Sequence, residues 1–398
     1  MRLPSPVVVM LLAAMTALGP LATDMYLPAM PAMADALAAT PGQVQLTLSI
    51  YLVGFAVTQL LCGPLSDRYG RRPVLLAGFA LFFLASALCT IAPTIEVLLV
   101  GRFLQALGGA VGPVLGRAMV RDLYRPQDAG RILSQMASVM ALAPAAAPLI
   151  GGVLLMALGW QSIFAVLTGY ALVMALVIAL LWPEPLPPER RQSIRPRVII
   201  GNFAMLLGQR AFLGYTLTNA AAFSGLFAFL SGSSFVLIEF LGVSPTGYGL
   251  LFAVIVFGFL CGTLVSGRFS HLGSARLIPV GVGLCLVGGG SMAVLALAGV
   301  YHVLAVIPSH AVFLAGVGII MPQTMAGAIA PFPQCAGSAS SLFGFIQMTT
   351  AALMGAAVGQ FHDGTSRSMA VSIAVAAIAA WLSYQALVRE RSSAPRRR

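Results

Sequence analysis

Long apolar stretches recur along the whole sequence, each about as long as a helix that crosses a bilayer. Such a helix needs about 20 predominantly apolar residues, because the hydrocarbon core is ~30 Å thick. The sequence contains twelve such stretches, and they are too long for the strands of a membrane barrel. We therefore predict an all-α membrane protein with twelve transmembrane helices. Their predicted cores are 7–29, 44–64, 74–92, 96–116, 132–157, 161–182, 208–232, 246–267, 277–299, 302–324, 336–360 and 368–388.

The composition agrees with a lipid environment and excludes several other classes of protein. Only 8% of the residues are charged and 59% are hydrophobic, whereas a soluble domain is about 25% charged. The formal net charge is +11, but the basic residues form short clusters between apolar stretches, which argues against nucleic-acid binding. The five scattered cysteines predict neither a disulfide framework nor a metal site, and we expect no cofactor.

The distribution of arginine predicts the orientation in the membrane. All 22 basic residues are arginines. If the N-terminus is cytoplasmic, 20 of them fall in cytoplasmic segments, Arg367 falls outside and Arg102 falls within a span. Because cytoplasmic segments carry the excess of basic residues, we expect both termini in the cytoplasm and an even number of spans.

A polar connector divides the chain into two halves. The segment WPEPLPPERRQSIRPR, residues 182–197, is too rich in proline and charge to be a span. The predicted domains are a six-helix bundle at 1–182, a cytoplasmic linker at 183–207 and a second six-helix bundle with a basic tail at 208–398.

A weak internal repeat supports this division. GPLSDRYGRR, residues 63–72, follows the second span, and SGRFSHLGSARL, residues 266–277, follows the eighth. Aligning Gly70 with Gly273 gives an offset of 203 residues, about half of the chain. Parallel repeats of this kind predict a binding site near the bilayer midplane.

Five motifs carry a family resemblance. GPLSDRYGRRP, at 63–73, matches the G-x-x-x-D-R-x-G-R-R pattern of the major facilitator superfamily, and GRFLQALGGA has its fourth-span R-x-x-Q pattern. With TDMYLPAMP, APAAAPLIGG and FVLIEFLGVSP, the chain is similar over essentially its whole length to the Bcr/CflA branch of drug:proton antiporters. The resemblance implies proton-coupled efflux of small amphipathic drugs across the bacterial cytoplasmic membrane, and we expect a monomer.

The loop-two motif predicts a latch on the cytoplasmic side. Asp67 can accept hydrogen bonds from a helix N-terminus, and the resemblance implies that the eleventh span supplies it. Arg71 and Arg72 are then expected to pair with Asp122. The alternative is a basic anchor with an incidental carboxylate. The predicted gating residues here are Gly63, Asp67, Arg68, Gly70, Arg71, Arg72 and Asp122.

The fifth span resembles the motif that marks antiporters. Pro144 and Pro148 each remove a backbone donor and favour a kink, while Gly151 and Gly152 permit tight packing. These four residues are also predicted gating residues. The family's usual glycine before the second proline is Ala147 here, and a generic kinked helix would have a similar pattern.

Asp24 and Arg102 are the predicted proton-coupling residues. A charge near the middle of a membrane helix costs about 2.5–3.5 kcal/mol, so it suggests a function. A carboxyl group in a low-dielectric cavity can hold or release a proton near neutral pH. Gln105, one turn after Arg102, is expected to share its hydrogen bonds. Alternatively, Asp24 caps or packs near the outer interface before Pro28, and Arg102 snorkels outward.

Polar and aromatic residues within other predicted spans are candidates for the substrate cavity. Flexible and aromatic contacts suit varied apolar cargo, although a packed side chain is the alternative for each of them, above all for the histidine. These candidates are Tyr51, Gln105, Gln135, Asn219, Phe223, His310 and Gln347.

Other functions remain open within and beyond transport. The chain could instead carry an endogenous metabolite in either direction, coupled to protons. A membrane enzyme would need a metal or phosphate motif such as H-E-x-x-H, and the sequence has none. A sensor or scaffold with the same fold would not need Asp24 and Arg102.

Overall fold

Helices make up nearly the whole structure. The computed structural model describes residues 5–124, 126–191 and 196–389, and within these ranges there is no strand. In lipid a helix satisfies its backbone donors and acceptors internally. The all-α prediction is therefore confirmed for the described part of the chain.

The first of two compact units comprises Met1–Arg195 together with Pro245–Gly249. Eight helices of this unit lie before the connector. They are α1 (Ser5–Asp24), α2 (Met30–Ala36), α3 (Pro41–Tyr69), α4 (Arg71–Thr90), α5 (Ile95–Gly109), α6 (Val111–Leu123), α7 (Pro126–Leu158) and α8 (Gln161–Leu181).

The second unit comprises Pro196–Ser244 and Leu250–Arg398. Its helices include α11, whose first residues group with the first unit. Short π-helical segments, Phe235–Phe240 and Tyr384–Arg389, extend two of them. The helices are α9 (Pro196–Leu207), α10 (Arg210–Ser234), α11 (Pro245–Arg268), α12 (Ser274–Leu297), α13 (Val303–Ile329), α14 (Ala336–Gln360) and α15 (Arg367–Ser383).

Eleven helical segments of the described residues are long and apolar enough to cross a membrane. The fifth predicted span, 132–157, falls within α7, where the apolar segment Leu142–Leu158 is shorter than the others. Twelve spans, like the side of the membrane on which the termini lie, stay a prediction.

Two predicted spans are interrupted. The first does not continue as one helix to residue 29: α1 ends at Asp24, and a short 3-10 turn, Leu27–Ala29, leads into α2. Pro28 lacks the N–H that a continuous helix would use. The fourth is divided at Ala110 into α5 and α6, directly after two glycines, which are poor helix formers.

The end of the predicted linker is helical. Residues 196–207 form α9 of the second unit, whose Leu206 is buried in a cluster with Phe212 and Phe343. The start of the connector instead belongs to the first unit, and its residues Trp182 and Leu186 are buried. The structure thus describes the connector on both sides of residues 192–195.

Both loops of the internal repeat have the same glycine conformation. Gly70 has φ 101° and ψ 158°, and Gly273 has φ 76° and ψ 161°. Each glycine precedes the first residue of the next helix, α4 or α12. Positive φ is strained for residues with a side chain, so both turns depend on glycine.

Close contact between α4 and α5 helps to bury Arg102 inside the first unit. A Cβ at Gly108 would fall against the carbonyl oxygen of Gly78 and 2.6 Å from the backbone nitrogen of Phe82. Small residues let helix backbones approach in this way in membrane proteins.

We expect Gly108→Ala to destabilise the protein by about 1–3 kcal/mol, because the added methyl group has no space. Thermal unfolding of the purified protein measures the change. Gly169→Ala on α8 is the control, since no atom of the described residues, apart from the adjacent backbone of α8 itself, lies within 4 Å of its added Cβ. Equal unfolding temperatures for the two variants would contradict the contact.

Candidate functional site

Arg102 lies on α5 with no part of its side chain exposed. Its Nη1 donates a hydrogen bond to the carbonyl oxygen of Ala22, at 3.0 Å, and another to Oε1 of Gln105. Gln105 in turn donates from Nε2 to the Ser86 hydroxyl at 2.8 Å. The expected Arg102–Gln105 interaction is present, and the side chain does not reach the outer surface.

Two tyrosine rings enclose the guanidinium group. Its carbon lies 4.3 Å from the ring centroid of Tyr26 and 4.3 Å from that of Tyr51. Aromatic faces attract cations, by ~2 kcal/mol or more where water is absent. We call Tyr26, Tyr51, Ser86, Arg102 and Gln105 the Arg102 cluster.

The Arg102 cluster leaves polar atoms without partners. The Nε and Nη2 atoms of Arg102 and the hydroxyl of Tyr51 are buried and have no hydrogen-bond partner among the described residues. No carboxylate in the described ranges forms an ion pair with Arg102. Because arginine stays protonated in proteins, the cluster holds an enclosed positive charge with donors that remain available.

Asp24 lies at the last position of α1, two residues after the carbonyl group that accepts from Arg102. Its position at a helix end fits the alternative of a packed residue near an interface. The side chain is nevertheless only 5% exposed. Asp24 is therefore a buried carboxyl group that lies two residues before Tyr26 of the Arg102 cluster in the sequence, and it forms no ion pair with Arg102.

The antiporter-like motif of α7 packs on this region. Pro144 and Pro148 lie inside the continuous helix Pro126–Leu158. A Cβ at Gly151 would fall against the carbonyl oxygen of Met25, directly after Asp24. Gly151 therefore allows α7 to approach the backbone turn that ends α1, and Gly152, the next residue, is also buried.

In the second unit, His310 is part of an aromatic stack. Its ring lies 3.9 Å from Phe229 and 5.5 Å from Phe313, centroid to centroid, and is nearly parallel to both. The side chain is fully buried, and neither ring nitrogen has a hydrogen-bond partner among the described residues. We call Phe229, His310 and Phe313 the His310 stack.

The other cavity candidates of the second unit are also inside it. Asn219 is fully buried, and its Oδ1 accepts a hydrogen bond from the Thr324 hydroxyl at 3.2 Å. Phe223 is buried against Phe227, and Gln347 on α14 is buried. In the first unit, Gln135 lies on α7, but its side chain falls outside the described part of the structure.

The loop-two motif forms an ion network around Arg71. Its Nη1 lies 2.6 Å from Asp67 and its Nε lies 2.9 Å from Asp122, while Nη1 also donates to the Ser66 hydroxyl. We call this the Asp67–Arg71–Asp122 network. The predicted Arg71–Asp122 pair is present, and the approach of Asp67 to the eleventh span stays a prediction.

Arg72 and Arg68 have other contacts. The prediction that Arg72 pairs with Asp122 is wrong: its side chain donates to the carbonyl oxygens of Ile178 and Ala179. As the second residue of α4, Arg72 lies on a different face of the helix from Arg71. The Arg68 guanidinium lies over the ring of Tyr69, and the Gly63 carbonyl accepts from Ser66.

Sequence reasoning missed the residues that complete these clusters. Tyr26 was present in the quoted TDMYLPAMP motif, but its role depends on a contact with α5 that no local pattern specifies. Ser86 and Phe229 resemble ordinary residues of an apolar helix. Glu184 lies in the polar connector, where no local pattern distinguishes it from a solvated charge, yet both of its carboxylate oxygens accept backbone hydrogen bonds.

Comparisons with known proteins agree with the motifs. Residues 12–359 match the sequence profile of the Major Facilitator Superfamily. The chain is 30% identical to the bicyclomycin resistance protein homolog of Haemophilus influenzae, over 94% of each chain. It is 35% identical to the chloramphenicol resistance protein of Pseudomonas aeruginosa, over 84% of this chain and 79% of that one.

A solved structure shares the fold. A bacterial homolog of the human lysosomal transporter Spinster has a TM-score of 0.76 and 15% sequence identity. The similarity covers 97% of this chain and 98% of that one. The predicted resemblance to the bicyclomycin and chloramphenicol resistance proteins is confirmed by the two sequence relatives. The similarity to the solved structure supports the overall fold, while the number of spans stays a prediction.

We expect Tyr51→Ala to destabilise the protein by about 3–5 kcal/mol, because it leaves a cavity where a buried ring was and removes an aromatic face from an enclosed guanidinium group. Tyr51→Phe keeps the ring and loses only a hydroxyl that has no hydrogen-bond partner among the described residues. The free energy of unfolding of Tyr51→Phe should therefore be within about 0.5 kcal/mol of the wild-type value. Thermal unfolding compares them, and an equal loss in both variants would argue against the cation–π contact.

Proposed function

The chain belongs to the major facilitator superfamily, and we propose that it exports small amphipathic drugs from the cytoplasm in exchange for protons. It is a membrane transporter rather than an enzyme. The names of the bicyclomycin and chloramphenicol resistance relatives support a drug as cargo. The bacterial cytoplasmic membrane is the proposed location, and a monomer is the proposed unit.

The enclosed Asp24 carboxyl group carries this proposal. It is 5% exposed, it lies two residues from the backbone contact of Arg102, and no ion pair joins these two side chains. A carboxyl group without a fixed counter-charge can change its protonation when its surroundings change. A carboxylate locked in a salt bridge would lack that freedom.

In the proposed cycle, the proton and the cargo compete through Asp24. Cargo binding from the cytoplasm favours the deprotonated carboxylate, and a proton that enters from outside favours cargo release. Arg102 stays charged throughout, because a guanidinium group does not lose its proton in proteins. Alternating access then exposes the cargo site to one side of the membrane at a time.

Each unit by itself contains candidate cargo contacts, which are aromatic rings and uncharged polar groups. In the second unit, the ring nitrogens of His310 and the Nδ2 atom of Asn219 are buried without partners among the described residues. In the first unit, the Tyr51 hydroxyl is buried without such a partner. Ligand sites for small molecules are mostly apolar, with a few polar groups that orient the ligand. Such groups suit an uncharged amphipathic molecule.

The Asp24→Asn variant tests proton exchange directly. On addition of chloramphenicol, purified wild-type protein should release protons, whereas Asp24→Asn should release at least about tenfold fewer, because an amide has no proton to exchange. A pH indicator in weakly buffered solution measures the release. Asp35→Asn, which alters an exposed aspartate on α2, is the control and should behave as wild type. Equal release from wild type and Asp24→Asn would remove Asp24 from the mechanism.

Drug accumulation in cells tests the direction of transport. We expect cells that contain the protein to accumulate less chloramphenicol than cells without it, because export opposes entry of the drug. A protonophore should abolish the difference by collapsing the proton gradient. Higher accumulation in cells with the protein would instead indicate import, and a difference that survives the protonophore would contradict proton coupling.

A further inference from the structure

The backbone donors at the start of α4 are all accounted for. The first four N–H groups of a helix have no partner within it. Gly70, before the first helical residue, donates to the Ser66 carbonyl at 3.0 Å. The N–H groups of Arg71 and Arg72 donate to Oε1 and Oε2 of Glu184, at 2.9 and 3.0 Å. Pro73, which comes next, has no N–H to satisfy.

Glu184 also supplies the charge that this helix end requires. A helix N-terminus is positive, so basic side chains in the first turn are unfavourable and an anion is favourable. α4 nevertheless begins with two arginines, Arg71 and Arg72. A carboxylate from 112 residues further along the chain compensates both the helix end and its basic residues.

The turn before α4 lies in direct contact with this carboxylate. Gly70 has φ 101°, and a Cβ there would lie 2.6 Å from Oε2 of Glu184. Glycine is therefore favoured at this position by its backbone angle, and the absence of a side chain leaves room for the Glu184 carboxylate.

The connector holds Glu184 in place. The N–H of Leu186 donates to Oε1 of Glu184 at 2.9 Å, and the side chains of Trp182 and Leu186 are buried. Glu189, in the same connector, is exposed. The two acidic residues of the connector thus have different environments, and Glu189 offers a matched control.

We propose that Glu184 is a positioning residue that fixes the start of α4, so that Arg71 reaches Asp67 and Asp122 together. The backbone of Arg71 is held by Glu184, and its side chain bonds to both carboxylates of the Asp67–Arg71–Asp122 network. The connector is thereby anchored to the ion network of the first unit. The anchoring of the connector by Glu184 can be tested without cargo or protons, and it is therefore independent of the proposed transport.

Hydrogen exchange tests the anchor in the full-length protein, reconstituted in lipid nanodiscs. In Glu184→Ala, the amide hydrogens of Arg71 and Arg72 should exchange at least about tenfold faster than in the wild type, because each loses a charged acceptor. Glu189→Ala should leave their rates unchanged. If Glu184→Ala does not fold, Glu184→Gln, which retains one acceptor oxygen, should accelerate one of the two amides. Unchanged rates at both positions would overturn the anchor.

Arginine modification tests whether Glu184 positions the Arg71 side chain. Phenylglyoxal reacts with accessible guanidinium groups, and mass spectrometry locates the products. Arg71 is 8% exposed in the wild type, whereas Arg68 is exposed and serves as an internal reference. In Glu184→Ala, or in Glu184→Gln if the first variant does not fold, modification of Arg71 should rise severalfold relative to Arg68. An unchanged ratio, even with faster amide exchange, would show that Glu184 only caps the helix and would overturn its positioning role.

Discussion

A guanidinium group enclosed among helices keeps its charge. The protein around Arg102 therefore has to supply the hydrogen-bond acceptors and the electrostatic stabilisation that water would otherwise supply. α1 contributes a backbone carbonyl, α5 contributes Gln105, and tyrosine rings before α2 and on α3 cover the faces of the group. Electrostatic interactions are strong in such a low-dielectric interior, and unsatisfied groups are costly. The close helix contacts of the first unit are what bring these groups to one place.

Two arginines of the first unit illustrate different uses of charge. Arg71 is matched by two carboxylates and the Ser66 hydroxyl. Because its charges are matched, such a network stabilises the one arrangement of α3, α4 and α6 in which these side chains meet. Arg102 has rings and neutral acceptors instead, with two nitrogen atoms that lack partners among the described residues, while the enclosed Asp24 lies nearby in the chain. An incompletely matched site can respond to a proton or a cargo, which is the property that a coupled transporter requires.

Local patterns were sufficient for the features that depend on spacing along one helix or loop. Apolar length predicted the helices, the repeat matched Gly70 with Gly273, and Gln105 was expected beside Arg102. Contacts between distant segments could not be read in this way. The rings over Arg102 come from the turn after α1 and from α3, and the Phe229 ring beside His310 comes from α10. Phenylalanine is also too common in apolar spans to signal a site. The role of Glu184 depends on how the connector folds back onto α4.

Proton exchange at Asp24 underlies the proposed transport cycle, and infrared difference spectroscopy of the purified protein detects the protonation state of this carboxyl group. The carbonyl stretch of a protonated carboxylic acid is separate from that of a carboxylate. Addition of chloramphenicol to the wild type should remove a protonated-carboxyl band, and the Asp24→Asn variant should lack this change. The same band loss in both proteins, or no loss in the wild type at any pH, would contradict proton exchange at Asp24.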